Sequence, residues 1–143
     1  MKYLLDTNVL SEIRKPRGHA GVKAFVSSLR EEDLFISVLS VGEINFGIEK
    51  LPPGPKKTEL SIWLTQKLPE RFGNRIIPLD VNIMAEWGRL QALTPTLPVF
   101  DSLIAASALA RRLTVVTRNT RDFRRVKGLL LLNPWEEASA GAG

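Results

Sequence analysis

Residues 2–12 read Lys2-Tyr3-Leu4-Leu5-Asp6-Thr7-Asn8-Val9-Leu10-Ser11-Glu12, an apolar run that stops on an acid and passes at once into helical spacing. Lys2 to Leu5 is expected to form a buried strand. Thr7 and Asn8 are expected to cap a helix through Val9, Leu10 and Ile13, which Pro16 and Gly18 stop. The same rhythm recurs downstream. Leu34 to Val38 reads as a strand before a helix through Ile44, Ile48 and Leu51. Ile76 to Leu79 reads as a strand before a helix through Ile83, Met84, Trp87 and Leu90. Val22, Phe25, Val26 and Leu29 mark a helix ahead of the Glu31-Glu32-Asp33 turn, and Leu60, Trp63, Leu64 and Leu68 another that Pro69 helps to end. The Ala- and Leu-rich stretch from Asp101 to Leu113 reads as a buried helix, with strands at Leu113–Thr117 and Leu129–Leu132 on its carboxyl side. Strands alternating with helices predict an α/β layered domain with a mainly parallel central sheet flanked by helices.

The chain has 143 residues, 44% of them hydrophobic and 24% charged, which suits a single globular domain. Pro52-Pro53-Gly54-Pro55 is the clearest break and reads as a loop, so one domain over residues 1–136 is expected, followed by a small-residue tail over 137–143 expected to be disordered. The absence of cysteine excludes a disulfide scaffold, a thiolate nucleophile and Cys-based zinc sites. His19 is the only histidine, so mechanisms needing two are excluded. Lys2 is followed by only three apolar residues before Asp6, unlike a secretory leader, and no window approaches the ~20 apolar residues of a membrane span. A cytoplasmic location with no membrane partner is expected. The net charge of +5 points toward a polyanion, and seven basic residues (Arg111, Arg112, Arg118, Arg121, Arg124, Arg125, Lys127) accompany one acid, Asp122, between 111 and 127.

The acids fall at informative places. Asp6 ends the first strand, Glu43 follows the second, Asp122 follows the Leu113–Thr117 strand, and Asp101 opens the Ala-rich helix. Open α/β sheets bind ligands outside the carboxyl ends of their strands, so these acids are expected to share one cleft. A set of carboxylate oxygens suits a hard divalent cation such as Mg2+ or Mn2+, which activates water and neutralises phosphodiester charge. Each acid also has a structural reading. Asp6 suits a helix cap, Glu43 a capping-box partner of Ser40, Asp101 a favourable charge at a helix start, and Asp122 a loop or cap residue. Asp80 is assigned to capping.

The surrounding motifs decide between these readings. Leu4-Leu5-Asp6-Thr7-Asn8-Val9-Leu10 resembles the opening of PIN-domain nucleases of the VapC toxin type, and Ser40-Val41-Gly42-Glu43 resembles their second acidic motif. Asp101-Ser102-Leu103-Ile104-Ala105-Ala106 is similar to the third, Thr117-Arg118-Asn119-Thr120-Arg121-Asp122-Phe123 to the fourth, and Asn133-Pro134-Trp135 to a common ending. The resemblance runs from Leu4 to Trp135. It implies a metal site of Asp6, Glu43 and Asp101, with Asp122 often acting through water, and supporting roles for Asn8, Thr117 and Asn119. It further implies a metal-dependent endoribonuclease, the toxin of a toxin–antitoxin pair with a VapB-type antitoxin, forming a homodimer or a larger hetero-oligomer with it. Arg118, Arg121, Arg124 and Arg125 are expected to contact RNA phosphates. Trp63 and Trp87 are candidates for a dimer surface, with core packing as the alternative.

Two other Mg2+-dependent α/β classes fit less well. Haloacid-dehalogenase-type phosphatases need an acid where Asn8 stands, and receiver domains need a late lysine where Val116-Thr117 is followed by Arg118. A nucleic-acid or antitoxin binding module without turnover is the alternative from a different class.

Overall fold

The computed structural model describes residues 1–136; the expected tail from residue 137 onward lies outside the described residues. Its centre is a five-stranded, all-parallel sheet in the order β3-β2-β1-β4-β5. The strands are β1 (Tyr3–Leu5), β2 (Leu34–Ser37), β3 (Ile76–Ile77), β4 (Thr114–Val116) and β5 (Leu131–Leu132). Between them run α1 (Thr7–Arg14), α2 (Ala20–Ser27), α3 (Val38–Glu49), α4 (Pro55–Ile62), α5 (Leu68–Phe72), α6 (Val81–Leu93), α7 (Val99–Arg111) and α8 (Thr120–Phe123). Among the described residues no helix is long and apolar enough to cross a membrane.

Side chains alternate across the sheet with period two, which sorts the core into two halves. Leu4 and Val115 face one side and pack with Ile83 and Leu90 of α6, Ile104 of α7 and Phe123 of α8. Leu5 and Val116 face the other side, against Val9 and Leu10 of α1, Val22 of α2, Ile48 of α3 and Phe72 of α5. Both faces are covered, so the strands are mostly apolar, with buried Ser37 and Thr114 at the ends of β2 and β4. Central β1 pairs with β2 through Leu4↔Phe35 and with β4 through Leu5↔Val116. The chain first builds outward from β1 to β3 and then crosses back to β4. This reversal puts a crevice between β1 and β4 at their carboxyl ends.

Three local expectations change. The cap of α1 is Asp6, whose side chain accepts from the Thr7 N–H, while Thr7 and Asn8 lie inside the first turn. The helix expected to end at Pro69 continues to Phe72 through a π turn over Trp63–Lys67, where the Leu68 N–H reaches back to the Trp63 carbonyl. Pro69 has no N–H and needs space for its ring; the widened turn gives that space, while Leu64, Leu68 and Phe72 stay buried on one face. The third concerns α7, which starts at Val99, so Asp101 is its third residue rather than its first.

Candidate active site

Asp6 sits where β1 gives way to α1, in the β1/β4 crevice, and is 9% exposed. Its Oδ1 accepts from the Thr7 N–H at 2.8 Å, and its Oδ2 accepts from the Thr117 hydroxyl at 2.9 Å. Fully buried Thr117 lies just past β4, and its Oγ1 also accepts from Asn8 Nδ2 at 3.2 Å and from the Asn119 N–H at 3.1 Å. Asn8 in turn takes the Arg118 N–H on its Oδ1 at 3.2 Å. Burial pushes the Asp6 carboxyl above its ordinary range, against the pull of the Thr117 and Thr7 hydrogen bonds. No salt bridge among the described residues reaches it.

Glu43, one turn into α3, accepts from the Thr7 hydroxyl on Oε1 at 2.8 Å. It does not close a capping box with Ser40: the cap of α3 is Ser37, whose Oγ accepts from the Leu39 N–H at 3.0 Å. Asp101 comes in from the first turn of α7. Its pKa is pushed up to about 6, first by burial and then by the charges of Asp6, Asp122 and Glu43. Asp6, Asn8, Glu43, Asp101 and Asn119 all line one open cleft of about 320 Å³, with Phe100 on its rim.

Asp122 is placed differently. It lies in α8, close enough to act on Asp101, but its Oδ1 faces the Arg125 guanidinium at 3.7 Å. Arg125 also donates to the Thr96 hydroxyl. Arg118 spreads its guanidinium over the Trp135 ring, 5.2 Å from the centroid. Arg121 and Arg124 are exposed on and beside α8. His19 caps α2, its Nδ1 accepting from the Val22 N–H at 3.1 Å, and takes no part in the cleft.

The donor set fits a divalent cation: several carboxylate oxygens, one of them buried without a cationic partner, the chemistry that hard ions select. As they stand, no three acidic or imidazole side chains among the described residues converge on one coordination point. Arg125 holds Asp122, so gathering the acids around one ion requires side-chain rotation there, while the Thr7 hydroxyl engages Oε1 of Glu43. Trp87 donates its indole N–H to Ser102 Oγ at 2.9 Å and Trp63 packs on the α1–α5 half of the core, so both are half-buried structural residues. Exposed apolar side chains include Val38, Phe46, Val99 and Phe100, as well as Ile62 beside Trp63 and Met84 on the helix of Trp87. Thr7 and Phe100 carried no warning in the sequence beyond standing beside Asp6 and Asp101.

A family model described as PIN domain matches residues 3–129. Toxin FitB of Neisseria gonorrhoeae is 35% identical, the alignment covering 94% of this chain and 99% of that protein. VapC ribonuclease Y4jK of Sinorhizobium fredii is 32% identical, with 94% of this chain and 99% of that protein covered. Among solved structures, FitAcB from Neisseria gonorrhoeae superposes with a TM-score of 0.85 at 35% identity, covering 93% of this chain and 98% of that one.

Proposed function

The chain belongs to the PIN-domain family, and on that premise we propose that it is a metal-dependent endoribonuclease acting as the toxin of a toxin–antitoxin pair. The observation that carries this reading is the shared cleft of Asp6, Glu43 and Asp101 at the β1/β4 switch point, with Asp101 raised to about 6 by burial and by its acidic neighbours. Asp6, Glu43 and Asp101 would hold Mg2+, or Mn2+ in its place, and Asp122 would act on it through water. The bound ion supplies an activated water and neutralises charge on the phosphodiester. Thr117 and the Thr7 amide fix both oxygens of Asp6, and Asn8 and Asn119 brace Thr117. Arg118, Arg121 and Arg124 meet the RNA phosphates; Arg125 joins them only by leaving Thr96 and Asp122.

RNA as substrate is supported by the relative named a ribonuclease, and an antitoxin partner by the relative named a toxin. The exposed apolar surface at Val38, Phe46, Val99 and Phe100 supports a homodimer, and an RNA substrate supports the cytoplasm as its location. Residues 1–136 act as one domain. End-group analysis of cleaved RNA tests the reaction. Water attack leaves a 5′-phosphate and a 3′-hydroxyl, and EDTA or Asp6→Asn abolishes cleavage. Cyclic phosphate ends, or full activity in EDTA, overturn the mechanism. RNA binding with no turnover in Mg2+ or Mn2+ returns the chain to a binding module.

A further inference from the structure

Residue 7 touches the two acids that face each other across the corner of α1 and α3. Its backbone N–H donates to Asp6 Oδ1 at 2.8 Å, and its hydroxyl oxygen lies 2.8 Å from both Glu43 Oε1 and Ser40 Oγ. A threonine hydroxyl has one proton, and a carboxylate can only accept. The Thr7 proton therefore goes to Glu43, and the Ser40 hydroxyl supplies its own proton to Thr7 Oγ1. Ser40 is fully buried and stands three residues before Glu43, on the same face of α3. The result is a one-way chain, Ser40 to Thr7 to Glu43, that spans two helices and ends on a carboxylate of the cleft.

We propose that Thr7 is a positioning residue: its hydroxyl, anchored from behind by Ser40, holds Oε1 of Glu43 and leaves Oε2 to the divalent cation. This role rests on the nuclease reading of the cleft. A glutamate side chain has three torsions to order before it can coordinate, and the chain from Ser40 orders them in advance. It does so with a neutral donor, so no cationic partner stands in competition with the ion. The directions of the two hydroxyls also reinforce each other, since each donated proton makes the next oxygen a better donor. Removing a group that orients a metal-binding side chain typically costs about 10- to 100-fold in metal affinity.

Calorimetric titration of Mn2+ into the full chain tests the role, with melting curves in EDTA run beside it. Thr7→Val keeps the branched shape and loses the hydroxyl; it is expected to weaken Mn2+ binding about tenfold, at the lower end of that range. Thr7→Ser restores the hydroxyl and should restore the affinity. Ser40→Ala leaves Thr7 in place and should lose less, which keeps the test decisive if Thr7→Val folds poorly. In Glu43→Gln the further change Thr7→Val should cost nothing more, because the two act on the same oxygen. Cleavage by Thr7→Val should need more Mn2+ for half-activation yet reach nearly the wild-type rate at saturation. Wild-type affinity in Thr7→Val, with affinity lost in Glu43→Gln, reduces Thr7 to a tie between helices and leaves the nuclease reading intact. No Mn2+ binding by the wild-type chain removes both.

Discussion

The two corners on either side of Asp101 satisfy their carboxylates in opposite ways. At the β1–α1 corner, Asp6 is buried and held by hydroxyl and amide donors from Thr7, Thr117 and Asn8, with Asn8 Nδ2 the longest at 3.5 Å. At the α8 corner, Asp122 is half-buried and faces a guanidinium, with exposed arginines on either side. Neutral donors orient a carboxylate and leave its charge unmatched. A guanidinium matches the charge, and an incoming cation must compete with it. On the proposed function, the first corner suits an ion and the second suits phosphate.

The largest expected effect separates the corners by catalysis. On the proposed function Asp6→Asn removes a ligand rather than the support of one, so cleavage in Mn2+ should fall by more than the about 100-fold that a lost support costs at most. Asp122→Asn should cost only about tenfold, because the proposed function has it act through water, one step removed. Initial rates at saturating Mn2+ measure both. Equal losses would mean that Asp122 leaves Arg125 and binds the ion directly, which erases the contrast.

Stability separates them next. Thr117→Val takes a buried hydroxyl from the centre of a network: the Asn119 N–H loses its side-chain acceptor, and Asp6 Oδ2 and Asn8 Nδ2 keep only their mutual 3.5 Å contact. A buried polar group left unpaired costs about 1–3 kcal/mol, so urea unfolding in EDTA should show a loss near 2 kcal/mol. Breaking the partly exposed Asp122–Arg125 pair should cost about 0–1 kcal/mol. A Thr117→Val protein as stable as wild type would show that water enters this corner freely.

Asp101, which feels both corners, adds a pH dependence. Its pKa rises from 3.8 unfolded to about 6 folded, so between these values the folded chain binds more protons than the unfolded one. Its contribution is fully present below pH ~4 and is lost as pH climbs through about 6. Asp6, raised by burial, adds the same sign. Solvent screening of the half-exposed Asp101 holds its share to about 1 kcal/mol or less. Asp101→Asn should therefore flatten the fall in melting temperature between pH 4 and 7 in EDTA and lose most of the Mn2+-induced rise. A variant that keeps the full Mn2+ shift would take Asp101 out of the site.

Legibility in the sequence followed the range of the interaction. β1 and α1 were readable because an apolar run, an acid and a helical period lie within nine residues. The layered architecture followed from strands alternating with helices along the chain. Proline chemistry was misjudged at Pro69 because a buried face of Leu64, Leu68 and Phe72 outweighs one missing N–H, given a π turn to absorb it. The Ser40–Glu43 spacing imitated a capping box while the true cap stood at Ser37. Motif resemblance named every acid of the cleft, but not how each is held. Thr7 bonds to residues 33 and 36 positions away, beyond any local pattern, while Asp122 pairs at i,i+3 with Arg125, one of four nearby arginines among which spacing alone does not choose.

The smallest effect concerns those arginines and asks whether the α8 corner serves phosphate. No ion pair among the described residues holds Arg121 or Arg124, whereas Arg125 is committed to Asp122 and Thr96 and Arg118 lies over Trp135. Each phosphate contact on a single strand contributes about 0.7 to the slope of log affinity against log salt. The double variant Arg121→Gln with Arg124→Gln should lower that slope by about 1.4, with stability unchanged to within about 0.5 kcal/mol. Arg125→Gln should change the slope less, because its guanidinium already has partners. Binding isotherms on an uncleavable RNA at four salt concentrations resolve the difference. Should Arg125→Gln flatten the slope as much as the double variant, the Asp122–Arg125 pair opens when RNA arrives. Asp122 would then be freed toward the ion in the same step, and the α8 corner would be a latent copy of the β1–α1 corner.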